Sequence, residues 1–284
     1  MKNILITGGN GQLANTFKHI ESSYSSYNFN IKSKEELDIT NFLSLSAEII
    51  NNKYDFIFNC AAYTNVNMAE ENENETKLVN SDAVKHIVKL IEGTKCKLIH
   101  FSSDYVFDGK KKTNYIETDN QSPINKYGNS KYLGEKYILN SNSQSVIVRT
   151  SWLFSEFNSN FVKKIIELTN KNNQISVTDK EIGSPTYSED LANFCMTLCN
   201  ENKNWNGEIF NFSNTGFTSR YDFAKKIIEF LNIDCKIAKS QDLTNANINR
   251  PLNSRLSLMK IKTRFNIIPR NWEEALDECI KKII

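Results

Sequence analysis

Lys2-Asn3-Ile4-Leu5-Ile6-Thr7 runs straight into Gly8-Gly9-Asn10-Gly11-Gln12-Leu13-Ala14. The apolar run is short, ends in glycine and fits a buried parallel strand. A helical stretch through Ile20 follows it. Strand, glycine turn and helix together open a βαβ unit. In Gly8-x-x-Gly11-x-x-Ala14, Gly8 permits the tight turn and Gly11 lets the backbone approach a pyrophosphate. Ala14 is small enough for the helix to pack near the strand. The position of this turn, directly after the first strand, points to a dinucleotide cofactor rather than to a merely structural turn.

The alternation continues outward from that unit. Strands are predicted at 28–31, 56–60, 97–102 and 145–149, with helices at 40–51, 75–92 and 129–140. Thr40 is the candidate N-cap of the first of these helices, and Gly93 stops the second. Steady alternation implies a doubly wound, Rossmann-type α/β fold, a parallel sheet with helices on both faces. After Trp152 the texture changes. Helices are predicted at 161–170, 189–200, 219–231 and 272–282, with short strands at 175–177 and 208–212. We therefore divide the chain into a cofactor-binding domain, 1–150, and a smaller substrate lobe, 151–284, partly interleaved with the sheet.

Composition narrows the function classes. The 284 residues carry 35 Lys+Arg against 33 Asp+Glu, a net charge of +2, which argues against nucleic acid as the principal partner. The only basic cluster, Lys110-Lys111-Lys112, reads as a solvated turn. No apolar run approaches the roughly 18 residues of a membrane span. The N-terminal apolar stretch is too short for a signal peptide, so a cytoplasmic location is expected. The six cysteines are scattered. Cys195 and Cys199 share a helical face without a nearby histidine or second cysteine pair, and no metal site is predicted.

The second strand selects the dinucleotide. NAD binders usually place an acid at its end to hold the ribose 2′-hydroxyl. Here the strand ends Asn30-Ile31-Lys32-Ser33-Lys34, with no acid before Glu35. Ser33 and Lys34 suit a 2′-phosphate, so NADPH is expected in preference to NADH. Asp38 is a candidate contact near the adenine.

A second constellation carries the chemistry. Tyr127-Gly128-Asn129-Ser130-Lys131 is Tyr-x-x-x-Lys, which on a helix puts both side chains on one face. A cation beside the phenol favours phenolate and makes Tyr127 a usable acid or base. Ser102-Ser103-Asp104-Tyr105 follows a predicted strand, and strand C-termini line the ligand crevice of such sheets. A serine hydroxyl there can hydrogen-bond a substrate carbonyl while Tyr127 donates a proton. Asn59-Cys60-Ala61-Ala62-Tyr63 ends another strand with small residues beside which a nicotinamide could pass. Together these point to hydride transfer.

The glycine turn, Asn59-Cys60-Ala61-Ala62, Ser102-Ser103-Asp104-Tyr105-Val106-Phe107, Tyr127-x-x-x-Lys131 and Arg149-Thr150-Ser151-Trp152 resemble the extended short-chain dehydrogenase/reductases. Gly183-Ser184-Pro185-Thr186 and Arg250-Pro251-Leu252-Asn253-Ser254-Arg255-Leu256 are similar, more narrowly, to the dTDP-4-dehydrorhamnose reductase family. The resemblance covers residues 1 to about 275. It implies reduction of the C4 ketone of a nucleotide-linked 4-keto-6-deoxyhexose, in deoxysugar and surface-polysaccharide biosynthesis. It assigns polarisation of the ketone to Ser103, protonation to Tyr127, and the nicotinamide ribose to Lys131. Gly8, Gly11, Gln12 and Leu13 would carry the pyrophosphate, and Ala61, Ala62 and Tyr63 the nicotinamide. Ser103, Asp104 and Tyr105 would meet the substrate, Trp152 would pack on the sugar, and Arg250, Asn253 and Ser254 would hold the nucleotide diphosphate. Sheet-edge and helix-pair dimers are common in that superfamily, which makes a homodimer an expectation by analogy.

Two departures stand out. The family often has Asp where this chain has Asn67, in Val66-Asn67-Met68-Ala69-Glu70. Of the acids that bridge some family dimers through magnesium, only Glu189 has a counterpart. A dehydratase would need Asp-Glu after the catalytic hydroxyl, and Ser103 is followed by Asp104-Tyr105. The alternatives left open are a sister 4-ketoreductase acting on another nucleotide 6-deoxysugar, and a non-catalytic NADP-binding regulatory subunit.

Overall fold

In the computed structural model, which describes residues 1–201, 203–240 and 248–284, the predicted strands lie side by side. They are β1 (Lys2–Thr7), β2 (Tyr27–Lys32), β3 (Phe56–Asn59), β4 (Lys97–Ser103), β5 (Gln144–Thr150) and β6 (Glu208–Phe212). They form one six-stranded sheet in the order β2-β1-β3-β4-β5-β6, and every pairing is parallel. Parallel strands covered on both faces read as continuous apolar runs, and β4 is buried from Leu98 to Ser103. One face is covered by α1 (Gln12–Ile20) and α6 (Ser188–Cys199), through Leu13, Ala14, Phe17, Leu191, Phe194 and Cys195. The other is covered by α2 (Phe42–Asn52), α3 (Ala83–Ile91) and α4 (Lys126–Leu139), through Leu45, Ile49, Ile87, Ile91 and Ile138. Each fully buried Leu, Ile or Phe contributes about 1.5–3 kcal/mol, so these two layers dominate the stability of the sheet.

The chain places β2 on one side of β1 and β3 on the other, so the strand order reverses between β1 and β3. In open α/β sheets that reversal opens a crevice at the carboxyl ends of the strands. Here those ends are Thr7 and Asn59, and they are tied together. The Thr7 hydroxyl donates to Asn59 Oδ1 at 2.8 Å and accepts from the Ala61 amide at 3.2 Å. Asn59 Nδ2 lies 3.3 Å from His100 Nδ1 on β4. Gly8, at φ +70°, sits so close to the next loop that a Cβ would meet the Ala61 backbone at 2.7 Å.

Several boundaries differ from expectation for identifiable reasons. Asn41, not Thr40, caps α2, accepting from the Leu43 and Ser44 amides at 3.1 and 3.2 Å. Thr40 instead donates to Asp38 at 2.7 Å. The helix predicted over 75–92 is interrupted by a π turn, Leu78–Asp82. Asn80 in that turn bonds the Tyr63 amide and carbonyl and the Ser130 hydroxyl at 2.9, 2.9 and 3.0 Å. α4 begins earlier than predicted, because Asn125 accepts from the Gly128 amide at 2.8 Å. Tyr127 and Lys131 therefore lie on one regular helix.

After Thr150 the chain builds a second, smaller core around Phe154, Ile165, Tyr187, Phe223, Trp272 and Leu276. It is carried by α5 (Phe161–Lys171), α7 (Arg220–Leu231) and α8 (Trp272–Ile283). Residues 188–212 leave this lobe to add α6 and β6 to the sheet layer. The strand Gln174–Thr178 pairs with Lys236–Ser240, a partner that the sequence pattern had not suggested. No helix among the described residues is long and apolar enough to cross a membrane.

Candidate active site

At the carboxyl ends of β1, β3, β4 and β5 lies a cavity of about 770 Å³, closed on one side by the smaller lobe. The glycine turn, Ala61-Ala62-Tyr63, Ser103-Asp104-Tyr105, Tyr127, Lys131, Trp152, Lys34, Asp38 and Arg250 all line it. α1 starts from Gly11 with no capping side chain and no acid in its first turn. Its first amides are thus free for an anion, and Gln12 Oε1 is buried with no partner among the described residues. From the lobe, Asn158 donates to the Asn10 carbonyl and pins that side of the cavity to the glycine turn.

Three predicted residues do not reach the cavity. Ser33 is engaged by the loop that follows it: its amide donates to Glu36 Oε2 at 2.8 Å and its hydroxyl accepts from the Glu36 amide at 3.4 Å. Asn253 is buried in backbone contacts, donating to the Lys111 and Thr113 carbonyls and accepting from Arg255 Nε at 2.8 Å. Ser254 donates to the Ile182 carbonyl at 3.4 Å and stands behind Asp104, whose carboxylate its hydroxyl stabilises. Asp38 does line the cavity, but its carboxylate is taken up by the amide and hydroxyl of Thr40.

Ser103 donates to Asp104 Oδ1 at 2.8 Å and accepts from the Tyr105 amide at 3.2 Å. Tyr127 meets Tyr105 edge-on at 5.4 Å. Burial raises the Tyr127 phenol above its ordinary range; a hydrogen bond from Ser103 opposes this, and Asp104 and Tyr105 add to it. The expected depression of this phenol by Lys131 is thus not the outcome: burial outweighs everything acting on Tyr127, and the proton is held on. Burial brings Lys131 down to about 8, against Glu135 and Cys60, which raise it. Burial also lifts Asp104 to about 6, the hydroxyls of Ser103 and Ser254 and the charge of Arg220 pulling the other way.

Between α4 and β5 lies a buried ion pair that sequence reasoning missed. Glu135 takes a two-point contact from Arg149, Nε to Oε1 at 2.9 Å and Nη2 to Oε2 at 2.7 Å. It also accepts from Ser102 at 2.5 Å and from Gln121. Tyr127, Lys131 and Glu135 recur four apart, so they form one stripe facing the sheet. That spacing was the only available signal for Glu135. Arg220 was missed too. It lines the cavity from the start of α7, with its guanidinium carbon 3.6 Å over the Trp152 ring. Asn67 proves to be a partner of Arg250, accepting from Nη2 at 2.7 Å, while Nη1 donates to the Tyr105 hydroxyl at 3.2 Å. Away from the cavity, His19, Glu156 and Glu189 bring ligand atoms within 4.8 Å of one another. The Lys282 ammonium sits on Glu189 there, at 2.6 Å.

A family model described as RmlD substrate binding domain matches residues 1–284. A dTDP-4-dehydrorhamnose reductase of Aggregatibacter actinomycetemcomitans is 34% identical, over 97% of this chain and 97% of its own. A dTDP-4-keto-6-deoxy-D-glucose reductase of Streptomyces niveus is 33% identical over 71% of this chain and 69% of its own. Among solved structures, that of Bacillus anthracis dTDP-4-dehydrorhamnose reductase in complex with NADP superposes with a TM-score of 0.94. It is 33% identical and covers 99% of this chain and 100% of that one.

Proposed function

The chain belongs to the RmlD substrate binding domain family, and from that premise we propose that it reduces the C4 ketone of a dTDP-linked 4-keto-6-deoxyhexose, dTDP-4-dehydro-L-rhamnose to dTDP-L-rhamnose. It is an oxidoreductase using a nicotinamide cofactor. The observation that carries this reading is the convergence of Ser103, Tyr127 and Lys131 on the cavity that the glycine turn also lines. A phosphate-binding turn without a hydroxyl–phenol–amine set would only bind, and the set without the turn would have no hydride source beside it.

When bound, the reduced cofactor supplies the hydride to C4. The protein's part is to hold the ketone and deliver a proton to its oxygen. Free amides at the start of α1 and the close approach permitted by Gly8 suit a pyrophosphate. Lys131 suits the nicotinamide ribose, and Ala61 and Ala62 leave room for the ring. The phenol of Tyr127 is protonated at neutral pH, so it enters the reaction as an acid. Ser103 is anchored by Asp104 and the Tyr105 amide; turning its proton from Asp104 to the ketone places two donors on one oxygen. The C=O bond becomes CH–OH, with hydride on carbon and the Tyr127 proton on oxygen, and the phenolate recovers its proton from solvent.

The test is loss of NADPH on mixing the protein with dTDP-4-dehydro-L-rhamnose, with the product identified by its sugar. No turnover of any nucleotide-linked 4-ketosugar would overturn the reading. Tyr127→Phe is expected to lower turnover roughly 10²–10⁴-fold while NADPH binding stays near wild type; wild-type turnover in this variant would remove the acid role. The Streptomyces niveus relative supports a second reading, a sister ketoreductase acting on dTDP-4-keto-6-deoxy-D-glucose, which the same assay separates by substrate. The cofactor reading is NADPH over NADH, supported by Lys34 on the cavity wall and by the lack of an acid at the end of β2. Lys34→Ala is expected to raise KM for NADPH about tenfold and leave KM for NADH nearly unchanged; equal effects would contradict the 2′-phosphate contact. Six unpaired thiols fit a cytoplasmic setting.

A further inference from the structure

Arg220 is held by its surroundings but not used up by them. Its guanidinium lies between the rings of Trp152 and Phe161, at 3.6 and 4.9 Å from their centres. Stacking of this kind fixes the plane of the group. Rotation within that plane is set by Nε, which donates to Glu181 Oε2 at 3.4 Å. Both partners are sheltered, with side chains 15% and 11% exposed. The two terminal nitrogens donate no hydrogen bond to any described residue, and the side chain lines the cavity. A guanidinium offers five donors; here one is spent on Glu181 at a long distance, the Asp104 carboxylate lies near enough to feel the charge, and the other donors bond no described residue.

Arg250 lines the same cavity, beside Tyr105. It donates to the Tyr105 hydroxyl and to Asn67, both neutral. No carboxylate among the described residues pairs with it. The sheltered wall around Tyr105 therefore carries two planar cations, one with neutral partners only and one held by a long ion pair. Two planar forks suit a ligand with two adjacent phosphoryl groups, because each phosphoryl can accept a two-point contact.

Resting on the reading of the protein as a dTDP-sugar reductase, we infer that Arg220 is a second anchor for the substrate diphosphate, on the same cavity wall as Arg250, with Glu181 as its positioning residue. Trp152 and Gly183 support this anchor. A Cβ on residue 183 would meet the Trp152 indole at 2.5 Å, so Gly183 lets the ring sit where it can carry the guanidinium.

Titration calorimetry with dTDP, inorganic pyrophosphate and thymidine tests the inference on the full chain, with NADP binding measured on each variant as a check of the fold. Arg220→Met keeps an apolar stem against Trp152. It is expected to weaken dTDP and pyrophosphate by roughly 10- to 100-fold, as for loss of a charge-assisted contact, and to leave thymidine unchanged. Glu181→Gln keeps an acceptor for Nε and removes the competing charge, so dTDP is expected to bind a few-fold tighter. An Arg220→Met protein that keeps the wild-type preference for dTDP over thymidine overturns the inference alone. A wild-type protein that binds NADP but neither dTDP nor pyrophosphate overturns the dTDP-sugar reading together with it.

Discussion

Lys131 shows what the site asks of a single residue. It is 3% exposed, and burial lowers its ammonium to about 8 against Glu135, which supports the charge. Its folded-state value is below the ordinary lysine value, so it contributes stability above pH 10 or so and withdraws it as pH falls through about 8. At pH 7 the buried ammonium is a net cost to the fold. Lys131→Met is therefore expected to stabilise the fold at pH 7 by roughly 1–3 kcal/mol, raising the melting temperature, and to abolish turnover. The gain should vanish above about pH 10, and thermal melts across pH read it directly. A variant that melts lower than wild type at pH 7 would contradict the account. In the wild type, kcat/KM for ketone reduction should fall as pH rises through about 8, where Lys131 loses its charge, because that ratio reports the free enzyme. The spacing of Tyr127 and Lys131 was legible in the sequence. The direction of the Tyr127 shift was not, since it depends on burial in the folded chain and on the nearby charges of Asp104 and Tyr105.

α4 is the element that sets the site. Gly128 and Gly134 let it press against its neighbours: a Cβ at 128 would meet the Tyr105 carbonyl at 2.2 Å, and one at 134 the Asn80 carbonyl at 2.4 Å. Its C-terminal half is fixed to β5 by Glu135 and Arg149, whose side chains are 0% and 1% exposed. Removing one member of such a pair leaves a buried charge without its partner. Arg149→Met is expected to cost about 3–5 kcal/mol, whereas the double change Glu135→Leu with Arg149→Met should recover much of that loss. Denaturant unfolding of the single and double variants measures the difference; equal losses would mean that the charges are not coupled. Most of this helix was readable from Tyr-x-x-x-Lys. Its start was placed three residues late, because the cap, Asn125, precedes the recognisable pattern. The π turn was invisible for a related reason. Asn80 opens the helix to reach Tyr63 and Ser130, and those partners come from two other elements.

At the scale of the whole molecule, both parts of the chain build the six-stranded sheet layer. β6 and α6 come from the C-terminal part, and Leu191, Phe194, Cys195, Phe210 and Phe212 belong to the same core as Ile4, Phe17 and Phe58. A fragment of residues 1–150 would expose one face of β4 and β5 to water, at about 25 cal/mol for each Å² of apolar surface uncovered. That fragment is expected to aggregate or remain unfolded, and the full chain to unfold in one transition by both circular dichroism and tryptophan fluorescence. A soluble, cooperatively folding 1–150 fragment would show the two parts to be independent. The amino-acid sequence by itself determined the glycine turn, the strand–helix alternation and the Tyr-x-x-x-Lys stripe, because each depends on neighbours within one or two turns of chain. Only the tertiary structure decided that Arg220 lines the cavity and pairs with Glu181, that Asn67 partners Arg250, and that Ser33, Asn253 and Ser254 stand off the cavity wall. Those outcomes depend on which distant segments meet, and on which polar groups the backbone claims first once buried donors and acceptors must all be satisfied.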